Sequence, residues 1–293
     1  MNILILFLLI GIYTCQSLAC TRFGRYYPGD PSRSSMVFSV IYGVVVTLFT
    51  LCYVRFQPAI SMTTVYYGLI NGVMVVLYNQ FLLRSSSMGP YSIVMIFMLS
   101  GGLMLPVLWS TIAGGVALPW FQWLAVGMML VSFVLLNVPK KGEKVTLPFL
   151  ITCVLLMFVN GIYCTLMNSQ QDATQNMENA GMIIVTFATG AVISFLLLLF
   201  KGGVRSLKKD FTLNLPSLLW GLASALSAAV AVNILMLALA MFNVAVVFAM
   251  SNGGTLLVSV MISLLFLGEK GTLLKSLGIL LATAAIVILS IPV

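Results

Sequence analysis

The chain has 293 residues, 61% of them hydrophobic and only 7% charged, which excludes a soluble globular domain because so few charges cannot cover its surface. Fourteen Lys and Arg against six Asp and Glu leave a net charge of +8, but the cations sit in short stretches between apolar segments and read as orientation signals rather than as a nucleic-acid surface. The absence of histidine removes the commonest metal ligand and the commonest acid–base group at neutral pH, so neither an enzyme nor a metal or other cofactor is expected.

A helix needs roughly 20 apolar residues to cross the hydrocarbon core. Runs of that kind predict spans over residues 2–21, 35–54, 63–83, 90–112, 119–138, 147–167, 180–200, 216–239, 244–267 and 272–291. Prolines punctuate them: Pro28 and Pro31 after the first, Pro58 after the second, Pro90 and Pro119 opening the fourth and fifth, Pro139 closing the fifth and Pro216 opening the eighth. The first run, with Ser17-Leu18-Ala19-Cys20, loosely matches a lipoprotein cleavage site, yet no Lys or Arg precedes Arg22, so it is read as a span. Five cysteines, Cys15, Cys20, Cys52, Cys153 and Cys164, lie within apolar segments and argue against a disulfide framework.

With ten spans, one side collects Arg22, Arg25, Arg33, Arg84, Lys140, Lys141, Lys144, Lys201, Arg205, Lys208, Lys209, Lys270 and Lys275, and the other has only Arg55. By the positive-inside rule the loops after the odd-numbered spans are cytoplasmic, both termini lie outside, and the protein is a multi-pass component of the cell membrane. Trp109, Trp120 and Trp123 cluster near one surface as interface anchors.

The two halves resemble each other at an offset of about 150 residues. Gly11-Ile12-Tyr13 matches Gly161-Ile162-Tyr163, Gly43 and Thr47 match Gly190 and Ser194, and Tyr67-Gly68-Leu69 matches Trp220-Gly221-Leu222. Gln80 matches Asn233, and Ser100-Gly101-Gly102 matches Asn252-Gly253-Gly254. An odd number of spans per half makes the repeat inverted. The expected fold is therefore an all-α integral membrane protein of about ten transmembrane helices, as two inverted five-helix repeats, residues 1–140 and 141–293, in one membrane domain.

Polar side chains within spans cost free energy unless they find a partner or water, so they mark candidate pathways. Spans one and six offer Tyr13, Gln16 and Ser17 against Asn160, Tyr163 and Asn168; spans three and eight offer Tyr67, Asn71, Asn79 and Gln80 against Trp220, Ser224, Ser227 and Asn233; spans four and nine offer Ser100 against Ser251 and Asn252. The hydroxyls can instead bond back to their own helices, and the amides can bridge helices or face a wet cavity. Gly101, Gly102, Gly253 and Gly254 allow close helix packing, and they also suit a hinge.

In the last fifty residues, Asn243-Val244-Ala245 leads into a glycine-centred ninth span that ends in Leu267-Gly268-Glu269-Lys270, with Lys275 and Gly278 opening the last span. This pattern, with the span count and the two-half architecture, resembles the drug/metabolite transporter superfamily and its ten-helix EamA-type members. The first half departs from the pattern, with Gly114-Gly115-Val116-Ala117-Leu118-Pro119 where a second Gly-Glu turn would recur. The resemblance implies a central cavity formed largely by spans one, three, four, six, eight and nine. It also implies secondary transport by alternating access, and the two fused halves point to a monomer, with a homodimer as the alternative.

All six acids, Asp30, Glu143, Asp172, Glu178, Asp210 and Glu269, fall in loops or at span ends, which disfavours the buried-carboxylate proton exchange of the related small multidrug exporters. Hydroxyls, amides and aromatic rings suit a neutral or zwitterionic solute such as an amino acid or nucleobase. The alternatives are a multidrug or cation exporter and, from another class, a membrane-embedded transferase, which would need a nucleophile, base or metal cluster. The expected partners are a small-molecule solute and the lipid bilayer.

Overall fold

The computed structural model describes residues 3–89, 91–113, 115, 118–136, 146–258, 261 and 273–289, and among these it is all-helical, with no strand. The helices are α1 (Ile3–Tyr26), α2 (Pro31–Tyr53), α3 (Met62–Met88), α4 (Tyr91–Ile112), α5 (Trp120–Leu136), α6 (Leu147–Thr174), α7 (Asn179–Asp210) and α8 (Leu215–Met241). They are followed by α9 (Val244–Phe248), which runs on through a π-helical turn at Ala249–Gly254, and by α10 (Leu273–Leu289). The seven helices α1–α4 and α6–α8 are long and apolar enough to cross a bilayer, and the chain is a multi-pass membrane protein by that measure. The apolar helices Trp120–Leu136, Val244–Val258 and Ser276–Leu289 are shorter. The Leu267–Lys270 stretch, the loop carrying Lys140, Lys141 and Lys144, and the residues Gly114, Val116 and Ala117 lie outside the described residues.

Local chemistry explains several helix ends. Pro31 opens α2 at the first helical position, where a missing N–H costs nothing. Asn214 caps α8, its side-chain oxygen accepting from the Ser217 N–H at 2.9 Å, and Asn243 caps α9 by accepting from the Ala245 N–H at 2.9 Å. Hydropathy places the end of the seventh span at residue 200, but α7 continues to Asp210. Gly203, at φ 66° and ψ 177°, kinks it there, in a left-handed backbone region that suits glycine. Beyond that kink the helix carries Lys208 and Lys209, which suit its negative C-terminal end and conceal it from a hydropathy reading.

The chain divides into two compact units. The first comprises residues 1–14, 81–168 and 241–293, and the second comprises residues 15–80 and 169–240. In the first unit α5 packs along α10, and α4 meets α9 and its π-helical turn. Leu136 and Leu135 crowd the position where a side chain on Gly278 would stand. Its buried side chains include Leu103, Met129, Phe133, Phe149 and Leu156.

In the second unit α2 packs along α7. Gly43 lies against the Phe187 carbonyl and Ala191, and Gly72 lies against Thr189, so both contacts are backbone-close. An aromatic run of Phe23, Phe38, Tyr42 and Phe187 carries ring contacts of 5.1 to 5.6 Å from α1 through α2 to α7. Outward-facing Leu48, Phe195 and Phe200 are exposed, as side chains turned toward lipid would be. All five cysteines are free.

Candidate functional site

The first unit gathers the small and polar residues of three helices at one point. On α4, Gly101 lies so close to α6 that a side chain there would strike the Met157 carbonyl, and Gly161 in turn lies against the Gly101 carbonyl. Backbone therefore meets backbone along this α4–α6 seam, and neither position tolerates a Cβ. One residue on, the space a Gly102 side chain would fill holds two amides. Asn160 Nδ2 from α6 lies 2.7 Å from that position, and Asn252 Nδ2 from the π-helical turn lies 3.0 Å from it.

Asn160 donates from Nδ2 to the Met98 carbonyl at 2.8 Å. Asn252 Nδ2 is buried and has no hydrogen-bond partner among the described residues. An amide N–H shielded from water and left unpaired costs roughly 1–3 kcal/mol, so the arrangement is stable only as part of a packing that holds it there.

The π-helical turn sets the direction of Asn252. Its two glycines are pressed by neighbours: a side chain on Gly253 would meet Met129 of α5, and one on Gly254 would meet Ile10 of α1. With those faces closed by packing, Asn252 projects toward α4. The widened turn is a feature that recurs at functional positions in helices. Ser251, in the same turn, is buried, its hydroxyl donating to the Phe248 carbonyl at 3.5 Å, while Ser100, Tyr13 and Tyr163 are half-buried in this unit.

The remaining sequence candidates belong to the second unit, where most serve as bridges. Gln16 donates from Nε2 to the Tyr42 hydroxyl at 3.0 Å, and the Ser224 hydroxyl donates to the Gln16 carbonyl at 3.2 Å, linking α1, α2 and α8. Asn79 donates to the Ser39 hydroxyl at 2.7 Å, and Asn233 donates to the Thr50 hydroxyl at 3.0 Å and to the Ala229 carbonyl at 2.8 Å. Tyr67 and Gln80 are half-buried. Trp220 is exposed, with the Arg22 guanidinium 5.9 Å from its ring centroid. Asn71 is fully buried, yet neither of its amide atoms has a partner among the described residues.

Sequence reasoning passed over several polar residues that the fold uses. Arg33, half-buried, and Asp210, buried, form an ion pair at 2.9 Å. Gln170 donates to the Thr64 hydroxyl at 2.8 Å, and Gln171 donates to the Met236 carbonyl at 2.6 Å. Pro106, inside α4, is a signal that could have been read directly: it has no N–H to give the Gly102 carbonyl four residues back.

Among solved structures, 28 chains match this one. One of them, described as "Crystal structure of protein", superposes with a TM-score of 0.75 at 14% identity over 99% of this chain and 96% of that chain. Identity at that level carries the fold alone. No family profile matches the sequence, and no curated protein does.

Proposed function

We propose that this protein is a secondary carrier that moves a small neutral or zwitterionic organic metabolite across the membrane by alternating access, without enzymatic chemistry. The observation that carries the reading is the meeting of Gly102, Asn160 and Asn252, where two amide groups from separate helices converge over a glycine and one of them has no partner. A multi-pass protein that only needed stable packing would fill such a point with an apolar side chain, because an unpaired amide weakens the fold.

The resemblance to EamA-type members of the drug/metabolite transporter superfamily belongs to the same proposal, and so does an inverted repeat of two five-helix halves giving ten spans. The packing of α2 along α7, of α5 along α10 and of α4 against α9 supports it. An axis exchanging spans one to five with six to ten would relate each helix of these pairs to its own partner. The orientation with both termini outside rests on the cation asymmetry between alternate loops.

The test is counterflow in proteoliposomes with labelled amino acids, nucleobases and a quaternary cation, with and without an imposed pH gradient. Saturable exchange of a neutral or zwitterionic class, indifferent to the gradient, is the expected result. Exchange of the permanent cation driven by the gradient would replace this reading with cation export. Folded protein that moves no solute would end the carrier proposal.

A further inference from the structure

The position over Gly102 has a chemical polarity that narrows the solute. Two features of α4 and its neighbours produce it. Asn252 Nδ2, buried and unpartnered among the described residues, and Asn160 Nδ2, held by the Met98 carbonyl, bring NH2 groups to within 3.0 and 2.7 Å of where a Cβ on Gly102 would stand. On the same helix, Pro106 withholds the N–H that the Gly102 carbonyl would receive in an uninterrupted α-helix. The Asn252 amide of the π-helical turn therefore lies against the same residue of α4 whose backbone carbonyl is relieved of its helical donor. Asn160 and Asn252 are each half-buried as whole residues, while Gly102 and the Asn252 Nδ2 are buried.

Resting on the carrier reading, we propose that this point is a subsite for a solute group that carries a carbonyl oxygen beside an N–H, namely a carboxamide or the lactam edge of a nucleobase. The carbonyl oxygen of the solute accepts from Asn252 Nδ2, and its N–H donates to the Gly102 carbonyl. Both protein groups are then satisfied by a single planar edge. An ammonium group has no acceptor to offer Asn252, and a carboxylate has no donor for Gly102, so each meets only half of the subsite.

Three pyridines that differ in one group provide the test: nicotinamide, nicotinate and 3-aminomethylpyridine, with uracil as the lactam probe. Binding is measured by calorimetry on the full-length protein in detergent, independently of any flux. Nicotinamide or uracil is expected to bind at least roughly tenfold more tightly than nicotinate and the amine, the factor that one satisfied hydrogen bond supplies. Asn252→Leu is expected to remove that preference, and Pro106→Ala, which returns an N–H to the Gly102 carbonyl, to weaken it by a similar factor.

Variants are compared only where their thermal unfolding matches the parent, and Asn252→Gln, which keeps the amide, serves as the second variant at the turn and is expected to retain part of the preference. Equal binding of the amine, no binding of either carbonyl probe, or an Asn252→Leu protein with unchanged preference overturns the subsite. If the preference holds but counterflow is absent, the subsite stands and the carrier reading falls. If flux of another solute persists at the parental rate in Asn252→Leu, the carrier stands and the subsite falls.

Discussion

Arg33, at the start of α2, and Asp210, at the end of α7, meet at 2.9 Å with 12% and 5% of their side chains exposed. The same guanidinium donates to the Ser206 hydroxyl at 2.6 Å and to the Leu198 carbonyl at 2.7 Å. The Tyr27 hydroxyl, its pKa pushed up to about 12 chiefly by burial and then by Asp210, keeps its proton and donates to the Asp210 carbonyl at 3.1 Å. One arginine thus ties the first turn of α2 to both sides of the Gly203 kink. Removing one partner of a buried pair strands the other charge, which costs about 3–5 kcal/mol. Arg33→Ala and Asp210→Ala are each expected to lower the unfolding temperature in detergent, with the double variant much less than additive. Additive losses would show that the two side chains act independently.

The α4–α6 seam makes a sharper steric prediction. Gly101→Ala puts a methyl group into the Met157 backbone carbonyl, which cannot move aside as a side chain can. Overpacking of this kind costs about 1–3 kcal/mol or more. Gly11→Ala and Gly127→Ala, at helical positions with nothing within 4 Å of the new Cβ, are expected to be neutral or to gain up to about 1 kcal/mol from helix propensity. Thermal unfolding of the three variants side by side checks the contrast, and a stable Gly101→Ala protein would show that the helices are not in backbone contact.

Asn71 presents the opposite case. Its amide is buried without a partner at either atom, so Asn71→Leu is expected to hold or raise stability, by up to about 1–3 kcal/mol. Asn233→Leu, which strands the Thr50 hydroxyl, is expected to lower it. The two variants measured in one detergent separate an unpaired amide from a bridging one; equal losses would mean that Asn71 is bonded in the native protein.

Glu178 supplies a pH dependence. Its carboxylate accepts from the Ser61 N–H and the Ser61 hydroxyl, both at 2.8 Å. Hydrogen bonding, first from Thr64 and then from Ser61, holds its pKa below the usual carboxylate range. A carboxylate depressed in the folded state contributes stability that is complete above the unfolded value of about 4.3 and is lost as pH falls through the lower folded value. The parent is therefore expected to lose stability as the pH is lowered from about 5 toward 3, and Glu178→Gln to show a shallower acid limb. Identical limbs would remove Glu178 as the source.

The glycine pairs show how far a linear reading reaches. Gly101-Gly102 and Asn252-Gly253-Gly254 stand out in the sequence as small residues inside apolar runs, and the structure brings Gly102 and Asn252 together. Their common neighbour Asn160 could be marked as polar, but its place over Gly102 depends on the α4–α6 seam, which no local pattern encodes. The π-helical turn was equally hidden, since Ala249–Gly254 carries no residue that forbids an ordinary helix. Arg33 and Asp210, read as loop charges, belong instead to an ion pair because α7 outlasts its apolar stretch.

What the sequence determined by itself is the solvent and the element type. Transfer of a segment to lipid is a sum over neighbouring residues, and a backbone in lipid must satisfy its own hydrogen bonds, so long apolar runs become helices wherever they occur. Tertiary structure alone decided which polar groups pair and which stay open. Asn160 finds the Met98 carbonyl 62 residues away and Asn233 finds Thr50 183 residues away, while Asn71 and the Nδ2 of Asn252 find no partner among the described residues. A hydrogen bond extends only about 3 Å, so its partner is set by which helices approach, and that approach is governed by close packing along the whole length of each helix.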